Sequence, residues 1–137
     1  MEHHLTTYIT HDTLISALGF GTQENLEAIR SYHSGITLQT DKRIADTPLL
    51  AATLSQDRLQ QQAEAIGVSG YPRMEQLFIL TINELIRQSG QTLEDKTCGL
   101  ILSTTKGNID LLTRHTEHPD EAVFLWKMAE NIAGYFH

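Results

Sequence analysis

Few residues in this chain have types and spacings that could do chemistry. The single thiol is Cys98. A nucleophilic cysteine needs an electropositive, partly exposed setting that favours the thiolate, and usually a base beside it. Cys98 instead opens the apolar run Cys98-Gly99-Leu100-Ile101-Leu102-Ser103, with no histidine close by in sequence. Such a run is expected to form a strand buried on both faces. Free cysteines commonly occupy such strands as small apolar residues, so the expectation is a shielded, slowly reacting thiol rather than a nucleophile.

His115, Glu117, His118 and Asp120 are the densest set of metal-type ligands. His115 and His118 have a spacing that shares a helical face, but Pro119 disturbs it. No second ligand pair completes the closed set of about four that structural zinc takes. A solvated polar loop is the expected reading. Thr104-Thr105-Lys106-Gly107 precedes a short segment, Asn108 to Leu112. A phosphate loop has Gly and Lys ahead of Ser or Thr, and that order is absent here. His3-His4 reads as a polar start rather than a ligand pair.

The elements that would position these residues follow from pattern. Leu5 to Ile9 is a short β-prone run. Gly19-Phe20-Gly21 reads as a turn. Thr22 is the expected N-cap of a helix with Gln23 and Glu24 in its first turn and Leu26 and Ile29 on an apolar face; Ser34-Gly35 is its expected end. Ile36 to Leu38 and Leu49 to Leu54 are candidate strands around a polar loop. Ser55 is placed to cap a helix with Leu59, Ala63 and Ile66 inward, closed by Gly67. Pro72 stands where proline prefers to stand, at a helix start. Met74, Leu77, Phe78, Thr81, Ile82, Leu85 and Ile86 then repeat at three- and four-residue spacing up to Gly90. Glu121 to Phe136 is the last predicted helix, with Leu125, Met128, Ala129 and Ile132 on one face. The order of strands and helices predicts an α/β fold with a partly parallel sheet in one domain, residues 1–137.

The 137 residues are 40% hydrophobic and 20% charged, a globular composition rather than a disordered one. The formal net charge of −7, with Lys and Arg scattered, argues against general nucleic-acid binding, which needs a basic face to neutralise phosphates. One cysteine cannot form a disulfide within the chain, which fits a reducing compartment. No apolar run reaches the ~18 residues of a membrane span. Met1-Glu2-His3-His4 lacks the basic start and apolar core of a signal peptide. A cytoplasmic protein is expected.

Several segments, in order, resemble the N-terminal half of a β-ketoacyl-acyl carrier protein synthase, a member of the thiolase-like superfamily. Ser16-Ala17-Leu18-Gly19-Phe20-Gly21 resembles the family's Ser-Pro-Leu-Gly-x-Gly turn. Ser34-Gly35-Ile36 follows the next helix as the family's Arg-Ser-Gly-Ile does. Arg73-Met74-Glu75 resembles an Arg-Met-Asp helix start. Cys98 to Ile109 resembles the glycine-rich strand and turn, although only Gly107 is kept in the turn itself. Asn131-Ile132-Ala133-Gly134-Tyr135 resembles the Asn-Met-x-Ala-Gly helix that precedes the nucleophile strand. The family's Gly-Leu-Gly after the first strand is His11-Asp12-Thr13 here.

This resemblance implies the first half of a thiolase-like fold, a mixed sheet flanked by helices. It implies decarboxylative condensation of an acyl thioester with malonyl-carrier protein, in fatty-acid or polyketide-type synthesis. It implies acyl carrier protein as partner of the full-length enzyme, a homo-oligomer, and no cofactor, metal, membrane or nucleic acid. Thr105, Lys106 and Gly107 fall where the family lines its acyl pocket. The family's nucleophilic cysteine comes after the Ala-Gly helix and one further strand, and its histidines later still. The expectation is therefore that this stretch alone is inactive, and that the gene continues into a Gly-Pro turn, an apolar strand and a cysteine among small residues. The alternative is a free-standing, non-catalytic interaction or scaffold protein derived from half a thiolase fold.

Overall fold

The computed structural model describes residues 6–94, 97–112 and 120–137. Among them the chain is a mixed α/β unit of four α-helices and two small antiparallel sheets. Strands β1 (Ile15–Ser16) and β2 (Gly19–Phe20) form a minimal hairpin leading into α1 (Thr22–Arg30). Strands β3 (Ile36–Gln39) and β4 (Leu49–Ala52) form the second hairpin, with Ile36 opposite Ala52 and Leu38 opposite Leu50. Helices α2 (Gln56–Ala65) and α3 (Arg73–Ser89) follow. Two single 3-10 turns, Ile109–Leu111 and Glu121–Val123, lie before α4 (Leu125–Tyr135).

The core joins α2, α3 and α4. Leu59, Ala63, Val68, Ile79, Met128 and Ile132 are essentially inaccessible, and Ile82 is nearly so. Burying each large aliphatic side chain contributes roughly 1.5–3 kcal/mol. These residues recur at helical spacing, so periodicity alone finds the helices. Ser55 caps α2 as expected, its Oγ accepting from the Arg58 N–H at 3.3 Å. Gly67 closes α2 at φ 75°. The Val68 N–H reaches back to the Ala63 carbonyl at 2.8 Å, and both residues enter the core, which is the apolar contact such helix ends favour. Pro72 and Gly90 bound α3 as expected, with Gly90 left-handed.

The expected mixed, partly parallel sheet is corrected by two antiparallel hairpins. A parallel pair needs a crossover of a dozen or more residues, usually helical, and only the short loop from Thr40 to Pro48 joins β3 to β4. The expected strand Cys98 to Ser103, buried on both faces, is also corrected. The segment pairs with no strand, Cys98 is exposed, and Ile101 is 93% exposed. Both hairpins pair locally, so no ladder forms along this run.

The ends of α1 differ as well. Gly21 is its N-cap, because the Thr22 hydroxyl is used elsewhere, donating to Asp12 Oδ2 at 2.7 Å. The helix ends at Arg30, before Ser34-Gly35. Tyr32 takes the left-handed position at φ 56°, and the His33 N–H bonds the Ala28 carbonyl at 2.9 Å. Leu26 and Ile29, expected to face inward, are 40% and 57% exposed, while Asn25 is buried. The last predicted helix is interrupted at Phe124, whose extended backbone separates the 3-10 turn from α4. Residues 6–10 form no strand. No helix among the described residues is long and apolar enough to cross a membrane.

Candidate functional site

Two buried polar hubs stand out, one in each half of the chain. The first is Asn25. Its Nδ2 donates to the carbonyls of Leu14 (3.1 Å), Gly19 (3.1 Å) and Gly21 (2.8 Å), and its Oδ1 accepts from the Ser16 hydroxyl. One side chain thus ties the β1–β2 hairpin to α1. Glu24, one residue earlier, accepts from the Phe20 N–H at 2.8 Å and pairs with Arg58 of α2 at 2.9 Å. Arg58 first, then the Phe20 N–H, holds the Glu24 carboxyl below the usual carboxylate range. The Arg58 guanidinium also lies 4.8 Å from the centre of the Phe20 ring.

The second hub is Glu75, in the first turn of α3, with no exposed surface. Asn108 Nδ2 donates to its Oε1 at 2.7 Å and to the Ala122 carbonyl at 2.8 Å. Asn131 Nδ2, on α4, lies 3.3 Å from both Glu75 oxygens. Asn108 is itself fully buried, and its Oδ1 has no hydrogen-bond partner. Burial raises the Glu75 carboxyl above the usual carboxylate range, against the opposing pull of the Asn108 and Asn131 amides. Glu75 and Asn131 line a groove together with Gly67, Gly70, Tyr71 and Pro72. Chemically this is a lock between α3, the Asn108 turn and α4. A carboxyl with no exposed surface does not meet a substrate in this conformation.

One cleft, about 210 Å³, lies among the first hairpin, α2 and α3. Ile15, Phe20, Ile66 and Leu80 supply apolar lining, and Gln62, Asn83, Glu84 and Arg87 supply polar groups. Arg87 is already committed to Glu84 at 2.6 Å. With Gln88 it draws the Glu84 carboxyl down to about 2. A second cleft is lined by Leu93, Cys98, Leu100, Phe136 and His137.

Of the residues singled out from sequence, Thr105 and Lys106 are exposed and Gly107 is buried. Gly107 has φ 55°, and a Cβ there would stand 2.7 Å from Leu125 Cδ2. None of the three lines the clefts just described. Asp120 caps the turn before α4, its Oδ1 accepting from the Ala122 N–H at 2.9 Å. His3, His4, His115, Glu117 and His118 lie outside the described residues. Among the described residues, no three of His, Cys, Asp and Glu gather as a metal site. Sequence reasoning singled out neither Asn25 nor Asn108. A signal for Glu75 existed: it shares a helix face with Ile79 and Ile82, and a lone acid on an apolar stripe needs buried partners.

No protein-family model matches the chain, and no curated protein or solved structure matches it either.

Proposed function

We propose that the chain is the N-terminal portion of a β-ketoacyl-acyl carrier protein synthase. The observation that supports this most is a meeting of motifs. Glu75 belongs to Arg-Met-Glu, Asn108 to the segment resembling the glycine-rich turn, and Asn131 to Asn-Ile-Ala-Gly. Asn108 and Asn131 each hydrogen-bond Glu75, across sequence separations of 33 and 56 residues. Motifs inherited from one fold are expected to keep their mutual contacts.

In the reaction proposed for the full-length enzyme, a cysteine thiolate takes the acyl group and the carrier thiol leaves. Malonyl-carrier then loses carbon dioxide, and its carbanion equivalent attacks the acyl thioester, returning the thiolate. The one cysteine here, Cys98, precedes α4, whereas the family's nucleophile follows the equivalent helix. These 137 residues are therefore proposed to lack condensing activity by themselves. Thr105, Lys106 and Gly107 are proposed to border the acyl pocket of the full enzyme, in a cytoplasmic homo-oligomer that receives acyl carrier protein.

The second reading, a non-catalytic interaction protein, is favoured by one observation. Ile36, Leu38 and Leu50 share one face of the β3–β4 hairpin and are 57%, 63% and 72% exposed. Contiguous apolar surface of this kind commonly marks a contact region. The test is to express the complete reading frame and supply acyl- and malonyl-carrier protein. The proposal expects 3-oxoacyl-carrier product, abolished when the cysteine after α4 is replaced. A frame with no such cysteine, or no product from the intact protein, overturns it. Product from the 137-residue chain alone would overturn the assignment of the nucleophile.

A further inference from the structure

We infer that β3 is a self-pairing edge: two copies of the chain join β3 to β3, antiparallel about a twofold axis at Thr37, and so build one four-stranded sheet from two hairpins.

The hairpin is short of neighbours. β3 and β4 pack chiefly on each other, and among the described residues no other backbone segment bonds to the outer edge of either strand. Ile36, Thr37 and Leu38 are all exposed, and Ile36, Leu38 and Leu50 share an apolar face. A lone two-stranded hairpin is at best marginally stable in water; three or more strands with an apolar face are needed for independent stability. An unpaired edge offers its N–H and C=O groups to any strand that fits it. A second hairpin supplies two strands at once.

Charge selects a second copy as the occupant. The chain carries a formal net charge of −7, so two copies repel on average. The hairpin is the exception. Residues 36–40 and 47–52 have no charged side chain, and the loop between them sets Asp41 and Asp46 against Lys42 and Arg43. Two hairpins therefore meet without like-charge contact. Natural edges are guarded by lysine, proline or a bulge. Pro48 stands directly before β4, whereas β3 has neither lysine nor proline and pairs with β4 without a bulge. Ile-Thr-Leu-Gln is also a better strand former than the Leu-Leu-Ala-Ala of β4.

The pleat fixes the register. Ile36 and Leu38 lie on one face and Thr37 and Gln39 on the other, since side chains alternate along a strand. A twofold axis normal to the sheet keeps each face with itself, so it passes through a residue position. At Thr37 it sets Ile36 opposite Leu38 of the second copy, Leu38 opposite Ile36, and Thr37 opposite Thr37. The contact is isologous, the apolar face runs across the joint, and paired threonines are favourable neighbours. An axis at Leu38 would set Ile36 against Thr40 and break the apolar row. The pairing deepens the homo-oligomer of the proposed function by naming its contact. Carrier-protein assays test the condensing activity and the experiment below tests the contact, so either can fail alone.

The experiment is sedimentation velocity on the 137-residue chain, from about 5 µM to about 500 µM, the range of weak to moderate pairs. The parent should pass from monomer to dimer. Thr37→Lys or Thr37→Glu alone sets like charges face to face at the axis and should weaken association by about tenfold or more. An equimolar mixture of the two variants should recover the dimer. A parent that stays monomeric, a dimer that both variants keep, or a mixture that stays apart overturns the inference and leaves the edge to a different partner. A second measurement needs no variant: amide exchange along β3 should slow as the parent is concentrated over the same range. Exchange there that is independent of concentration overturns the pairing.

Discussion

Replacing Asn25 by alanine tests whether one amide assembles the first hairpin and α1. Asn25 is 2% exposed, and its amide has two hydrogens to share among the carbonyls of Leu14, Gly19 and Gly21. Those contacts count as about two hydrogen bonds, and the one accepted from Ser16 makes a third. At about 1 kcal/mol net for each, the loss is about 3 kcal/mol. Some of it is offset, because the Leu14 carbonyl also accepts from the Gly21 N–H at 2.8 Å. Gly19 is likewise paired with Ser16 in the β1–β2 ladder. The expected cost is therefore about 2–4 kcal/mol, or roughly 10 °C in Tm for a chain of this size.

Urea unfolding reads the global cost, and amide exchange at Gly21 and along α1 reads the local one. Ser16→Ala removes two bonds, the one given to Asn25 and the one accepted from the Leu18 N–H at 3.0 Å, and should cost about 1 kcal/mol for each. In the double variant the two losses should fall short of additive by about that amount, since they share a bond. Asn25→Asp keeps the acceptor for Ser16 but loses both donors and buries a charge, so it should be at least as damaging as alanine. An Asn25→Ala cost under about 0.5 kcal/mol, with α1 exchange unchanged, would refute the reasoning, because a buried amide with four partners cannot be lost so cheaply.

Cys98 is exposed, so a thiol reagent should modify the folded chain at a rate within about tenfold of that in denaturant; protection of ~100-fold or more would show the thiol to be shielded. Tyr32→Gly should stabilise by about 0.5–1 kcal/mol in urea melts, because Tyr32 occupies the left-handed position at φ 56° with its ring 97% exposed, where glycine has no Cβ penalty; unchanged or lower stability would contradict that. Ile132→Ala should lower stability by roughly 2–5 kcal/mol, since Ile132 is fully buried where α4 meets the core.

Sequence alone determined the helices and their ends where local chemistry suffices. Ser55, Gly67, Pro72 and Gly90 all act where they were expected to, because a cap or a positive φ is satisfied within a few residues. The β3–β4 segments were likewise legible as strands, since each is a short apolar run beside a polar loop. Only tertiary structure decided the rest. An apolar run such as Cys98 to Ser103 becomes a strand only if another strand pairs with it, and among the described residues none does. Leu26 and Ile29 have helical spacing, yet spacing does not say which face meets a neighbour. The buried face of α1 is instead the one carrying Asn25. The Glu75–Asn108–Asn131 cluster was beyond local reading, because it joins residues far apart in sequence. A polar group's burial, and hence its partners and its proton affinity, depends on which distant segments close over it.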